Sequence, residues 1–271
     1  MDQPPEADPD EVEIPLAGGM GSNGAVVRVG DTVRRPVRPH SDAVRSFLEH
    51  LGRVGFDGAP RWIGYDVQGR EILSFLEGDV GIPPFPEWIA DDELLVSVAE
   101  LQRRLHDASA SFVVPPGAVW DLANVPAAGP DAIVCHNDLC VENVVVRSGR
   151  AVGVIDFDFA SPADRRFDIA VAARHWAPIK DPIDLDAARV SVDPIARFRR
   201  FADAHGLDGP DREIVVGMLG AFLDRAMISM RRRADDGNEL YRQVWESGYP
   251  EQNRRSRAYL DAHAAALART S

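Results

Sequence analysis

The stretch from Ile133 to Phe159 constrains this chain more than any other. Apolar Ile133-Val134-Cys135 gives way to polar His136-Asn137-Asp138, and Leu139-Cys140-Val141-Glu142 leads to Asn143 and Val144-Val145-Val146. A short return, Arg147-Ser148-Gly149-Arg150, then feeds Ala151-Val152-Gly153-Val154-Ile155 and the acid Asp156. The pattern predicts strand, polar loop, strand, turn, strand and carboxylate. Asp138 and Asn143 lie between apolar strands, so both polar heads project from one rim. The tight return brings Asp156 back beside them, although 18 residues separate it from Asp138. Two carboxylates and an amide oxygen thus converge, a hard-oxygen set that suits Mg²⁺ with phosphate oxygens as its remaining ligands. Turn formation alone would account for Asp138 and Asn143 but not for the third acid. Cys135, His136 and Cys140 have the wrong spacing for a zinc site and lack a fourth ligand.

The rest of the chain divides around this block. Residues 1–12 are acidic and Pro-rich and read as a disordered tail with no secretory signal. Residues 13–78 carry short β signals. Ile14-Pro15-Leu16 precedes a glycine cluster from Gly18 to Gly24, and Ala25–Val29 and Thr32–Arg35 flank the Gly30-Asp31 turn. A helix capped by Ser41 or Asp42 buries Val44, Phe47, Leu48 and Leu51, and strands follow over 60–66 and 70–76. From residue 79 to 271 the pattern is mostly helical, with helices expected over 91–110, 165–176, 193–205, 210–233 and 251–269 and a loop over 114–130. The fold class is α+β, with a small N-terminal β-rich lobe and a larger helical C-terminal lobe.

Composition narrows the function. With 43 acidic and 30 basic side chains the formal net charge is −13, which argues against nucleic-acid binding. No apolar run is long enough to span a membrane. Two cysteines, Cys135 and Cys140 either side of a polar loop, offer no disulfide framework, and the chain reads as cytoplasmic. The only lysine is Lys180, so any role that needs a lysine earlier in the chain must be filled by another residue.

His136-x-Asp138, four residues and Asn143, then an apolar strand ending in Ile155-Asp156, resembles the catalytic core of the aminoglycoside phosphotransferase and choline kinase superfamily, whose fold is protein-kinase-like and two-lobed. The resemblance runs from the glycine cluster to the last helices. It implies that Asp138 orients and deprotonates an acceptor hydroxyl, that Asn143 and Asp156 hold Mg²⁺, and that Asp156 bridges metal and nucleotide phosphates. His136 and Asp168 would support the catalytic loop, with plain helix capping as the alternative for Asp168. Gly21, Ser22 and Asn23 would cover the phosphates of ATP or GTP, and Phe75 and Leu76 would meet the purine from the inter-lobe connection. The family's strand lysine is absent. Arg35 is the nearest substitute, with Glu49 as its ion-pair partner and Arg34 as the alternative should the register shift by one. The role of Asp158 stays open.

The implied activity is phosphoryl transfer to a small hydroxylated molecule by a monomer or homodimer. The competing expectation is a catalytically weak nucleotide-binding protein or ligand sensor. The acceptor is not legible: an aminoglycoside, another amino sugar, a macrolide or a choline-like alcohol all fit. A cationic acceptor would be gripped by acids such as Asp181, Asp184, Asp186, Asp224, Asp235, Asp236 and Glu239.

Overall fold

The computed structural model describes residues 12–16 and 25–270. Most of the expected tail, and the glycine cluster with Gly21, Ser22 and Asn23, lie outside the described residues. β1 (Ile14–Pro15), β2 (Val27–Val29), β3 (Thr32–Arg35), β4 (Trp62–Tyr65) and β5 (Glu71–Ser74) form an antiparallel sheet in the order β1-β2-β3-β5-β4. Pro15 is tolerated because β1 is an edge strand, where no ladder donor is required. In the β3–β5 ladder Arg35 stands directly opposite Glu71.

α1 (Ser41–Arg53) buries Val44, Phe47, Leu48 and Leu51, the stripe expected from the sequence. Its cap differs from expectation. His40 occupies the N-cap without a side-chain capping bond, because the Ser41 hydroxyl accepts from Arg38 N at 2.9 Å and donates to Glu71 Oε2 at 2.9 Å. Phe47 reaches out of α1 toward Phe157, the residue after Asp156, with ring centroids 6.1 Å apart.

The connection out of β5 is pinned to the second half of the chain. Asp79 exchanges two backbone hydrogen bonds of 2.8 Å with Val146. Gly78 permits the approach, since a Cβ there would lie 2.6 Å from Val145 Cγ1 and 2.7 Å from Val146 O. α2 (Asp92–Ser109) follows, capped by Asp91, whose carboxylate accepts from Leu94 N at 2.8 Å.

The block singled out in the sequence folds as two small ladders. β6 (Ile133–Cys135) pairs with β9 (Ser161–Ala163), and β7 (Val144–Arg147) pairs with β8 (Arg150–Val154), all antiparallel. Five α-helices follow among the described residues: α3 (Arg165–Trp176), α4 (Pro194–His205), α5 (Gly209–Asp235), α6 (Glu239–Glu246) and α7 (Tyr249–Leu267). β9 and α6 were not expected. Pro162 makes β9 read as loop, and α6 buries only Tyr241, too little for a visible period. One continuous core joins Phe47, Leu51 and Leu73 to Leu101, Phe157, Trp176, Phe201, Leu219 and Leu260. No described helix is long and apolar enough to cross a membrane.

Candidate active site

The loop between β6 and β7 is held by its own polar residues. Asn137 adopts a left-handed conformation, φ 61°, which Asn tolerates better than most side chains. Its side-chain amide donates to Phe159 O at 3.2 Å, Ser161 O at 3.2 Å and Ser161 Oγ at 3.0 Å, so loop and β9 move together. Asp138 then projects beside Asn143. Asn143 Nδ2 donates to Asp138 O at 2.8 Å and to Asp138 Oδ2 at 3.0 Å, which turns the Asn143 oxygen away from the carboxylate. Ile155 N donates to Asn143 O at 2.9 Å, and the next residue is Asp156, also left-handed at φ 61°. Asp138, Asn143 and Asp156 are thereby brought onto one rim.

His136 ties the same pieces together from beneath. Its Nδ1 accepts from Asp138 N at 3.3 Å, which leaves Nε2 to donate to Ile155 O at 3.0 Å. The ring is fully buried against Phe157, centroids 4.8 Å apart, and burial lowers its pKa so that it stays neutral. Asp168, in the first turn of α3, sits behind the loop and does not cap the helix. It accepts from Asn137 N at 2.6 Å, Gln102 Nε2 at 2.8 Å and His106 Nε2 at 2.7 Å. The N-cap of α3 is Asp164, which accepts from Arg166 N at 2.9 Å. Burial opposes ionisation of Asp168, but these donors win and hold its carboxyl below the ordinary range. Gln102 and His106 of α2 gave no signal in the sequence.

The electrostatics of the rim are those of crowded carboxylates. Burial pushes the Asp138 carboxyl well above the usual carboxylate range, and the charges on Asp156 and Glu142 push it further against the Asn143 hydrogen bond. Asp156 is raised as well, by burial and then by Asp158, with Arg35 working against both. Such a group, with a free amide oxygen beside it, is short of positive charge. The donor set, oxygen atoms from two acids and an amide, fits Mg²⁺.

Arg35 takes its place beside this rim, in a setting that differs from expectation. Glu49 is exposed on α1 and is not its partner, because the helix turns its apolar face inward and Glu49 outward. The partner is Glu71, which accepts from Arg35 Nε at 2.8 Å, while Arg35 Nη1 lies 2.7 Å from Asp158 Oδ1. Nη2 is buried without a hydrogen-bond partner among the described residues, a donor suited to a phosphate oxygen. His40 Nε2 stands 3.4 Å from the same Asp158 oxygen. Burial would raise Asp158, but His40 and Arg35 hold it down at about 2. Arg34 points elsewhere, bonding Thr32 Oγ1 and lying 3.9 Å from Asp66. At the connection, Phe75 N is committed to Asp31 O at 2.8 Å, and the Arg28 guanidinium lies 3.8 Å from the Phe75 ring centroid. Leu76 seats against β8, where a Cβ on Gly153 would come within 2.7 Å of its Cδ1.

On the opposite flank, Arg233 bonds the Tyr241 hydroxyl at 3.0 Å and pairs with Asp121 at 3.0 Å. Burial raises the Tyr241 phenol and Arg233 opposes this, while the Asp138 charge adds to it, so Tyr241 is within electrostatic reach of Asp138. The acids suggested as an acceptor lining are already engaged. Asp184 pairs with Arg255 at 2.6 Å, Asp186 with Arg189 at 2.5 Å, Asp224 with Arg257 at 2.7 Å and Asp235 with Arg231 at 2.8 Å. Asp236 lies 3.8 Å from Arg232, Glu239 pairs with Arg242, and Asp181 caps Ile183 N at 3.0 Å.

Comparison with known proteins follows the same residues. Positions 118–201, which contain Asp138, Asn143, Asp156 and Asp168, match the model of a family described as phosphotransferase enzymes. The chain is 35% identical over 220 residues to the trifolitoxin immunity protein of Rhizobium leguminosarum bv. trifolii, covering 79% of this chain and 78% of that one. It is 34% identical over 186 residues to an aminoglycoside 3'-phosphotransferase of Streptomyces fradiae, covering 64% and 69%. Its fold is similar to that of a choline/ethanolamine kinase family protein from Mesorhizobium loti, with a TM-score of 0.63 at 15% identity over 96% of this chain and 93% of that one. An aminoglycoside phosphotransferase from Alicyclobacillus acidocaldarius superposes with a TM-score of 0.54 at 15% identity, covering 97% and 98%.

Proposed function

This chain belongs to the aminoglycoside phosphotransferase and choline kinase superfamily of small-molecule kinases, and from that premise we propose that it moves the γ-phosphoryl group of ATP or GTP to a hydroxyl of a small molecule. The observation that carries this reading is the rim itself: Asp138 is hydrogen-bonded to Asn143, Asn143 accepts from the amide of Ile155, the residue before Asp156, and Arg35 stands beside them on Asp158. The carboxylate oxygen of Asp138 that Asn143 does not hold receives the acceptor proton. A carboxyl raised by burial is a stronger base than a free one, and Asn143 fixes its orientation. Asn143 and Asp156 would hold Mg²⁺, which when bound supplies charge neutralisation for the phosphates. Arg35 Nη2 reaches for a phosphate oxygen from the sheet side. His136 and Asp168 touch no reacting atom and act by fixing the loop.

The small lobe in this reading ends at residue 78 and the catalytic lobe spans 79–271. The glycines at 18–24 cover the nucleotide, and Phe75–Leu76 border its base. A nucleotide-dependent reaction and two free cysteines suit the cytoplasm. One observation favours the competing reading of a weak nucleotide-binding sensor: Arg35 is caged between Glu71 and Asp158. Magnesium-dependent ADP release separates the two. Asp138→Ala should retain nucleotide binding and lower acceptor-dependent turnover by roughly 10²–10⁴-fold. Turnover equal to the unsubstituted protein's would remove Asp138 from the mechanism.

A further inference from the structure

The start of α1 brings a second nitrogen donor to the acid that Arg35 meets. Asp158 Oδ1 lies 2.7 Å from Arg35 Nη1 and 3.4 Å from His40 Nε2, yet it is aligned for a hydrogen bond with neither. Three polar atoms around this point, Arg35 Nη2, His40 Nε2 and Asp158 Oδ1, are therefore buried without a hydrogen-bond partner among the described residues. Packing fixes the place. The Phe157 ring lies 6.1 Å from Phe47 of α1 and 4.8 Å from His136, so α1 sits on the turn that follows Asp156. Arg35 is itself held from the sheet, where its Nε donates to Glu71 Oε2 at 2.8 Å.

The plain alternative is a structural ion pair, in which Asp158 ties the small lobe to the turn after Asp156. That accounts for Arg35 Nη1. It leaves a ring nitrogen and a guanidinium nitrogen buried and unbonded, and each such group costs about as much as a lost hydrogen bond. Helix capping does not account for the His40 side chain either. His40 is the N-cap of α1, but its ring makes no capping bond, and its backbone oxygen alone accepts from Ala43 N and Val44 N, both at 3.1 Å. Of the three groups only the acid has an outlet to solvent, its side chain being 31% exposed against 11% for each of its two neighbours. Two buried donors around one partly exposed carboxylate make a seat for an anion, filled here by the chain's own acid.

We propose that Arg35 and His40 together clamp the phosphates of the nucleotide, and that Asp158 occupies the clamp until a phosphate group takes its place. The inference rests on the phosphotransferase reading for the nucleotide, but not for the anion. A phosphate oxygen in the place of Asp158 Oδ1 is within reach of both Arg35 Nη1 and His40 Nε2, and a second oxygen of the same group can accept from Nη2. That forked contact is one a guanidinium makes and an ammonium cannot. His40 contributes as a neutral ring in the tautomer that carries its proton on Nε2. The caging of Arg35 is then a control on nucleotide affinity. The nucleotide competes with an internal carboxylate, and its apparent affinity falls by the fraction of molecules in which the clamp is open.

The test is equilibrium binding to the full chain by calorimetry, with Mg²⁺ and again in EDTA. Probes are inorganic tripolyphosphate, ATP and GTP, with adenosine and guanosine as phosphate-free controls. His40→Leu should weaken tripolyphosphate, and whichever nucleotide binds, about tenfold or more, and leave the nucleosides unchanged. His40→Gln keeps a side-chain N–H and should recover part of the loss; it also serves if the leucine variant has a lowered melting temperature. Asp158→Asn removes the competing charge at constant shape and should tighten the same ligands about twofold to fivefold. If that variant is destabilised, Asp158→Ser replaces it with the same expected sign. Unchanged tripolyphosphate and nucleotide affinity in His40→Leu overturns the clamp, and so does unchanged or weaker binding in Asp158→Asn, with or without Mg²⁺. Tripolyphosphate binding that depends on His40, without nucleoside diphosphate release from any acceptor, would sink the phosphotransferase reading alone. Nucleotide-dependent turnover with an unmoved nucleotide KM in His40→Leu would sink the clamp alone. If neither tripolyphosphate nor a nucleotide binds, both fall.

Discussion

Arg35 shows how much one side chain can carry. Its Nε and Nη1 neutralise Glu71 and Asp158, and Glu71 is buried, with Ser41 as its one other side-chain hydrogen-bond partner among the described residues. Arg35→Ala should therefore cost about 3 kcal/mol, because it strands a buried carboxylate, and it should raise the nucleotide KM more than it lowers kcat. Denaturant melts and steady-state kinetics on the same variant check both halves. An unchanged nucleotide KM would leave Arg35 a purely structural cation. Lysine at this position offers a single point charge and cannot span Glu71 and Asp158 together, so Arg35→Lys should restore part of the stability at most. Lys180 makes a second prediction at this scale. Burial, and then the charges of Arg174 and Arg189, pull its ammonium down to about 8 from 10.5, against the charges of Asp186 and Asp184. Its acylation rate should rise with a midpoint near pH 8, and a midpoint above 10 would mean that neither burial nor those cations act on it. The sequence revealed Asp138, Asn143 and Asp156 because all three lie in one local alternation of apolar strand and polar loop. It concealed Glu71 because an ion pair between strands 36 residues apart has no local pattern. Glu49 was misjudged because α1 spends that position on solvent.

Among elements, the junction of α2, α3 and the loop that carries Asp138 decides whether the rim holds its shape. Asp168 of α3 receives hydrogen bonds from Gln102 and His106 of α2 and from the Asn137 amide, so one carboxylate fastens three segments. In Asp168→Asn one acceptor oxygen becomes an NH₂ group facing buried donors. That should cost about 2–4 kcal/mol and lower turnover without a matching rise in nucleotide KM. The sign of the pH dependence follows from the depressed pKa. Asp168 contributes fully above the unfolded carboxylate value of 3.8, and its contribution is lost as pH falls through the lower folded value. Acid unfolding of Asp168→Asn should therefore lack the part that protonating this residue adds below pH 3.8, which pH-dependent denaturant midpoints would measure. Helix periods were legible wherever a helix buried a full stripe, and α3 has the expected ends, 165 and 176. α6 escaped because eight residues with one buried side chain leave no period, yet that helix supplies Tyr241 at the flank of Asp138.

For the molecule as a whole, two lobes need not mean two folding units. The core runs without a break from Phe47, Leu48 and Leu51 of α1 and Leu73 of β5 to Leu101 of α2, Phe157 beside Asp156 and Trp176 at the end of α3. Backbone bonds cross the same junction, from Val154 N to Gly58 O at 2.7 Å and between Asp79 and Val146. Arg35 and Asp158 add an ion pair across it. Removing residues before 79 would expose the apolar faces that Phe47 and Leu51 cover, so the helical part should not fold alone. Calorimetry on the full chain should then give one transition, with equal calorimetric and van't Hoff enthalpies. Phe47→Ala is the substitution that probes the junction. Phe47 is fully buried, with Phe112 at 5.2 Å and Phe157 at 6.1 Å between ring centroids. Its loss should cost about 4 kcal/mol, which for a chain of this size lowers Tm by roughly 10 °C. That shift should move the single transition as a unit, because the deleted ring belongs to the shared core. If the variant instead resolved a low-temperature step from an unmoved main transition, the small lobe would be melting by itself, and the core would be two cores in contact.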